Sequence, residues 1–115
     1  MRCRLFAGIA LFLCACGPQR LEEVSCPPEG TQLSYANFGA EFLGKHCQNC
    51  HGGVGRDRNG APSAFDFGTA EDARAHSARI FVRSAGPNTT MPPGPEDPSM
   101  EERSALSEWL ACGAP

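Results

Sequence analysis

The sequence predicts an all-α domain of three or four short helices joined by long loops rich in glycine and proline. Three observations lead there. Apolar residues recur at spacings of three and four in three separate stretches, the period of a one-sided helix. Each stretch opens on a residue type that caps helices, namely Ser34, Thr69 and Ser99. The intervening segments hold most of the 13 glycines and 10 prolines, which break helices. At 115 residues there is room for one small domain. A formal charge of −3 and the lack of any lysine or arginine run give no argument for nucleic acid.

Residues 1–15 read as a targeting segment. Arg2 and Arg4 supply a positive start, and Leu5 to Leu13 form an apolar run too short to span a bilayer. The run ends in Leu13-Cys14-Ala15-Cys16-Gly17, which resembles a bacterial lipobox. That resemblance implies a diacylated Cys16 as the mature N-terminus. The expected location is a bacterial membrane, facing the periplasm. Gly17 after the cysteine, in place of aspartate, points to the outer membrane. A plain secretory cleavage site fits these residues poorly. Removing residues 1–15 deletes two arginines and no acids, which takes the formal charge from −3 to −5. Residues 16–33 then read as anchor, short tether and irregular arm, and 34–113 as the domain.

Residues 34–47 predict the first helix, with Phe38, Phe42, Leu43 and Tyr35 on one stripe. Gly39 in that stripe suggests a close helix crossing, since glycine otherwise costs about 1 kcal/mol against alanine. The helix runs into Cys47-Gln48-Asn49-Cys50-His51, the attachment signature of c-type haem. Positions i and i+3 share a helical face and i+4 lies beside them. Cys47 and Cys50 can thus reach two vinyl groups while His51 reaches the iron. A zinc half-site, a thioredoxin-like pair and a structural disulfide compete for the same cysteines. Zinc needs a second paired motif and thioredoxin chemistry a βαβ context, and the chain displays neither. His46, beside the motif, is expected to be an exposed polar residue.

The loop 52–68 is long enough to call for a role, and wrapping one edge of a haem would be such a role. A metal-bound histidine usually donates its other ring N–H to a fixed acceptor, and the Pro62 carbonyl is the candidate. Phe65 and Phe67 are expected to line the pocket or a small core. Residues 69–84 predict a second helix, with Thr69 and Asp72 as a capping box and an inner stripe of Ala73, Ser77, Ile80 and Phe81. His76 is expected at its surface, and Arg83 can pair with a haem propionate.

In the loop 85–98, Met91 precedes Pro92 and Pro93. Proline fixes the backbone there, which suits a weak thioether ligand. Met91 is the candidate second iron ligand, and a His/Met pair leaves no open coordination site. Met100 is the poorer candidate, because it opens the next helix between Ser99 and Glu102. That helix, 99–112, carries Leu106, Trp109 and Leu110, which are expected to pack on Phe38, Gly39 and Phe42. Gly113 suits its C′ position. With Cys16 acylated and the motif pair holding haem, Cys26 and Cys112 remain. In an oxidising compartment they read as a disulfide joining the ends of the domain, two free thiols being the alternative.

Over residues 34–112 the chain resembles a class I cytochrome c. Phe38-Gly39, Cys47-x-x-Cys50-His51, Met91-Pro92 and Trp109-Leu110 carry the resemblance. It implies an all-α cytochrome c-like fold around one covalent haem c, with crossing terminal helices. It also implies one-electron transfer between larger redox proteins through an exposed haem edge. The expected protein is a monomeric, membrane-anchored carrier and no enzyme in its own right. Two other readings stay open. An unligated Met91 would leave a site for peroxide chemistry or gas sensing. A chain without haem would be a disulfide- or metal-stapled interaction lipoprotein.

Overall fold

A computed structural model describes residues 19–53 and 57–115. The targeting segment 1–15 and the acylation site Cys16 lie outside them. The described residues form five α-helices and no strand: α1 (Ala40–His46), α2 (Gln48–His51), α3 (Ala70–Ala75), α4 (Ser77–Ser84) and α5 (Met100–Ala111). A 3-10 turn at Leu21–Glu23 and a π turn at Tyr35–Gly39 come before α1. The all-α expectation holds. The count is five because the expected helix 69–84 is broken at His76 and Gln48–His51 forms a short helix of its own past Cys47.

The three expected helical starts are all capping boxes. The Ser34, Thr69 and Ser99 hydroxyls accept the N–H groups of Asn37, Asp72 and Glu102 at 3.0–3.2 Å. The side chains of those partners accept the cap N–H groups in return, at 2.7–3.1 Å. Two of the four orphan donors at each start are satisfied this way. The breaks have local causes. At His76 the Asp72 carbonyl receives both the backbone N–H, at 3.1 Å, and ring Nδ1, at 2.9 Å. The side chain competes with the helix for one acceptor, and His76 leaves helical geometry at ψ 16°. Cys47, at φ −123°, separates α1 from α2.

The core is where α1, α4 and α5 meet. Phe42, Leu43, Ile80, Phe81, Leu106, Trp109 and Leu110 are buried in it, with Phe67 and Ala73. Each large apolar side chain contributes about 1.5–3 kcal/mol on burial. Trp109 meets Phe38 edge to face at 5.9 Å between centroids. A Cβ on Gly39 would lie 2.5 Å from Trp109 Cζ2, so the π turn and α5 approach as only glycine permits. The expected crossing is present.

The ends of the domain are tied repeatedly. Cys26 and Cys112 form a disulfide with their Cα atoms 4.8 Å apart. Gly113, at φ 87°, closes α5 with Gly113 N–H to the Leu110 carbonyl and Ala114 N–H to the Trp109 carbonyl. The Pro115 carbonyl accepts from Tyr35 N–H at 2.6 Å and Trp109 Nε1 at 3.2 Å. At the other end Asn88, buried, clasps Gln19 through its side-chain amide, donating at 2.8 Å and accepting at 3.2 Å.

Candidate haem-binding site

Cys47 and Cys50 are both unbridged and half-buried. The bonds Cys47 N–H to the Leu43 carbonyl and His51 N–H to the Cys47 carbonyl, each 2.9 Å, carry the backbone through the motif as one turn. Cys50 and His51 thus lie in α2, with Cys47 at the junction just before it. Burial pushes the Cys47 thiol up to about 12, so it is protonated at neutral pH. Asn59 Nδ2 donates to Cys50 Sγ at 3.4 Å.

His51 is oriented by the loop that follows it. A carbonyl can only accept, so the 2.6 Å contact between ring Nδ1 and the Phe65 carbonyl makes Nδ1 the protonated nitrogen. Nε2 then carries the lone pair, as a metal ligand requires. The His51 carbonyl accepts Phe67 N–H at 2.7 Å, and the Phe67 ring stacks on the imidazole at 4.6 Å. Ring and backbone are thus both held from residues 65–67.

This corrects the expected acceptor. The Pro62 carbonyl is already engaged twice, by Phe65 N–H and by Arg58 Nη2, each at 3.0 Å. The turn it makes with Phe65 presents the Phe65 carbonyl to His51 instead. Arg58 was not singled out from the sequence. It also reaches the Ala61 carbonyl at 3.2 Å and the Phe65 carbonyl at 3.1 Å. The loop 57–65 is thus wound around one guanidinium, and an arginine between Asp57 and Asn59 gives little advance sign of that.

The Phe65 ring meets His76 edge-on at 5.7 Å, and Arg79 sits over it at 5.3 Å. His76, expected at the surface, is half-buried between Phe65 and Phe67. His46 is a fuller correction, with a side chain only 2% exposed. It packs on Phe42 at 4.9 Å, and its Nε2 lies 3.3 Å from Glu102 Oε1. His46 follows Phe42 by four residues and Leu43 by three, so the apolar stripe itself placed it inward.

Met91 lies on the far loop, with its side chain turned partly to solvent at 38% exposure. Its backbone is fixed at both ends. Met91 N–H donates to the Arg83 carbonyl at 2.9 Å, and its own carbonyl accepts from Arg103 Nη1 at 3.0 Å. Arg83 is half-buried, and it contributes that carbonyl to the loop. Met100 is 61% exposed at the start of α5. Arg103 is 2% exposed and was missed in the sequence. It precedes Leu106 by three residues and Leu110 by seven, so it too lies on the apolar stripe.

The donor set fits a covalently held haem. Two unbridged thiols stand within four residues of an imidazole whose tautomer leaves Nε2 for a metal. An all-helical domain with such a motif defines a c-type cytochrome. A family model described as cytochrome c oxidase, cbb3-type, subunit III matches residues 36–110. The chain belongs to this family of cytochrome c domains, electron-transfer proteins that carry covalent haem c and exchange electrons with redox partners. No curated protein and no solved structure matches the chain significantly.

Proposed function

We propose that this haem-binding electron carrier is a His/Met-ligated cytochrome c, exported and held at a bacterial membrane by a lipid on Cys16. Cys47 and Cys50 would hold the haem covalently as thioethers, each thiol taking up one vinyl group. His51 Nε2 and the Met91 sulfur would ligate its iron, and Arg83 would pair with a propionate. Bound haem supplies a reversible one-electron iron couple.

The observation that carries this reading is the bond from His51 Nδ1 to the Phe65 carbonyl. It fixes the tautomer, orients the ring and makes Nε2 the more basic ligand. Phe67 stacked on the imidazole shields it from water. Met91 sits in a loop, and its backbone is tied at both N–H and carbonyl. The lipid attachment rests on the Leu13–Gly17 pattern. The expected protein is a monomer that faces the periplasm, at the outer membrane.

The test is optical. Expressed with a c-type maturation system, the protein should show sharp reduced bands and a weak far-red ferric band from thioether ligation. Met91→Ala should lose the far-red band and bind carbon monoxide when reduced. Carbon monoxide binding by the unchanged protein would replace the closed carrier with an open-site haem protein. A chain isolated without a haem adduct by intact mass would refute the reading altogether.

A further inference from the structure

Met91 sits in a loop of prolines and glycines that has no helix to stiffen it, yet one side chain of α5 gathers the whole segment. Arg103 Nη1 donates to the Ser84 carbonyl at 2.9 Å, the Asn88 carbonyl at 3.0 Å and the Met91 carbonyl at 3.0 Å. The Arg103 carbonyl accepts Gly86 N–H at 2.9 Å. One residue thus grips residues 84, 86, 88 and 91 from inside, at 2% exposure. Among the described residues it has no carboxylate partner, so it is no ordinary ion pair. Its charge is met by carbonyl oxygens, one of them at the C-terminal end of α4, where the helix dipole favours a cation.

We propose that Arg103 is the positioning residue for the Met91 thioether. The inference rests on Met91 being an iron ligand. A thioether binds iron weakly, so its occupancy depends on how far the loop can swing away. A ligand held near its target has a high effective concentration, and loosening the tether lowers it. Three carbonyls sharing one charged donor, two of them on the buried Ser84 and Asn88, make the tether stiff. Without Arg103, three carbonyls lose a common donor, and the loop gains conformations in which sulfur is off the iron.

The experiment is an imidazole titration of the ferric, haem-loaded full chain, followed by the far-red band. The unchanged protein and Met91→Ala come first. A band present in the former and lost in the latter supports the ligation on which the inference rests. If the unchanged protein lacks the band, ligation fails and the inference with it. Given the band, Arg103→Met should let imidazole displace Met91 at concentrations about tenfold lower, as expected for losing hydrogen bonds to a charged group. Arg103→Lys, which keeps a cation with fewer directed donors, should fall between. Leu106→Ala, which removes a fully buried side chain on the same helix, reports general destabilisation. Imidazole affinity in Arg103→Met no tighter than in Leu106→Ala would overturn the proposal. Should Arg103→Met not fold, Arg103→Lys decides by the same comparison: tighter than Leu106→Ala supports it, equal refutes it.

Discussion

Glu102 works with both carboxylate oxygens. Oε2 accepts Ser99 N–H at 2.8 Å, closing the start of α5. Oε1 lies 3.2 Å from Lys45 Nζ and 3.3 Å from His46 Nε2, joining that start to the end of α1 just before Cys47. The Ser99 N–H bond, with His46 and Lys45 adding to it, holds the carboxyl at about 2, below its ordinary 4.5. A carboxylate with a depressed folded pKa stabilises fully above its unfolded value. That contribution is lost as pH falls from about 4.5 towards 2. Solvent reaches a third of the side chain, which screens the effect. Glu102→Gln should therefore cost on the order of 1 kcal/mol at pH 7 and flatten the acid limb of stability. Denaturant unfolding at a series of pH values checks both. His46 and Arg103 teach a related lesson. Both occupy inward positions of a helical stripe, although polar identity alone argued for the surface at His46. What overrides it is a partner supplied from elsewhere: Glu102 for one, three loop carbonyls for the other. Those partners lie 12 to 56 residues away along the chain.

The elements themselves were largely legible. Ser34, Thr69 and Ser99 mark the starts of the helical segments, and Gly39, Leu106, Trp109 and Leu110 mark the crossing. The interruptions were not, because a break at His76 depends on ring geometry that helical periodicity does not encode. The Phe65 carbonyl was hidden for the same reason, since turn geometry decides which carbonyl faces His51. The crossing makes a paired prediction. Gly39 has helical φ of −59°, so alanine there is conformationally allowed, but its Cβ would collide with Trp109. Overpacking of this kind costs about 1–3 kcal/mol, offset by up to about 1 kcal/mol of helix propensity. Gly44, in α1, would meet only Gln48 Oε1, at 3.8 Å. Gly39→Ala should lower the denaturant midpoint, while Gly44→Ala should raise it by up to about 1 kcal/mol in stability. Equal responses would mean that the two sites are packed alike.

Across the whole molecule, the disulfide closes a loop with 86 residues of separation. Chain-entropy models assign such a closure about 4–5 kcal/mol, an upper figure that real bridges often miss. Replacing Cys26 and Cys112 together by serine should lower stability by up to that amount. The haem spectrum should stay unchanged, because neither sulfur belongs to the donor set. An altered spectrum would mean that the bridge reaches the site through the packing of α5. At the opposite end, the clasp of Asn88 on Gln19 sets a distance. Cys16 and Gln19 are three residues apart, at most about 11 Å of backbone. Acylated at Cys16 as proposed, the domain would hang on a lead too short to let it turn over. The loop from Asn88 to Met91 would stay near the lipid headgroups. Such a carrier would find its donors and acceptors by lateral diffusion, and its turnover would scale with their density per unit of membrane area, not per volume.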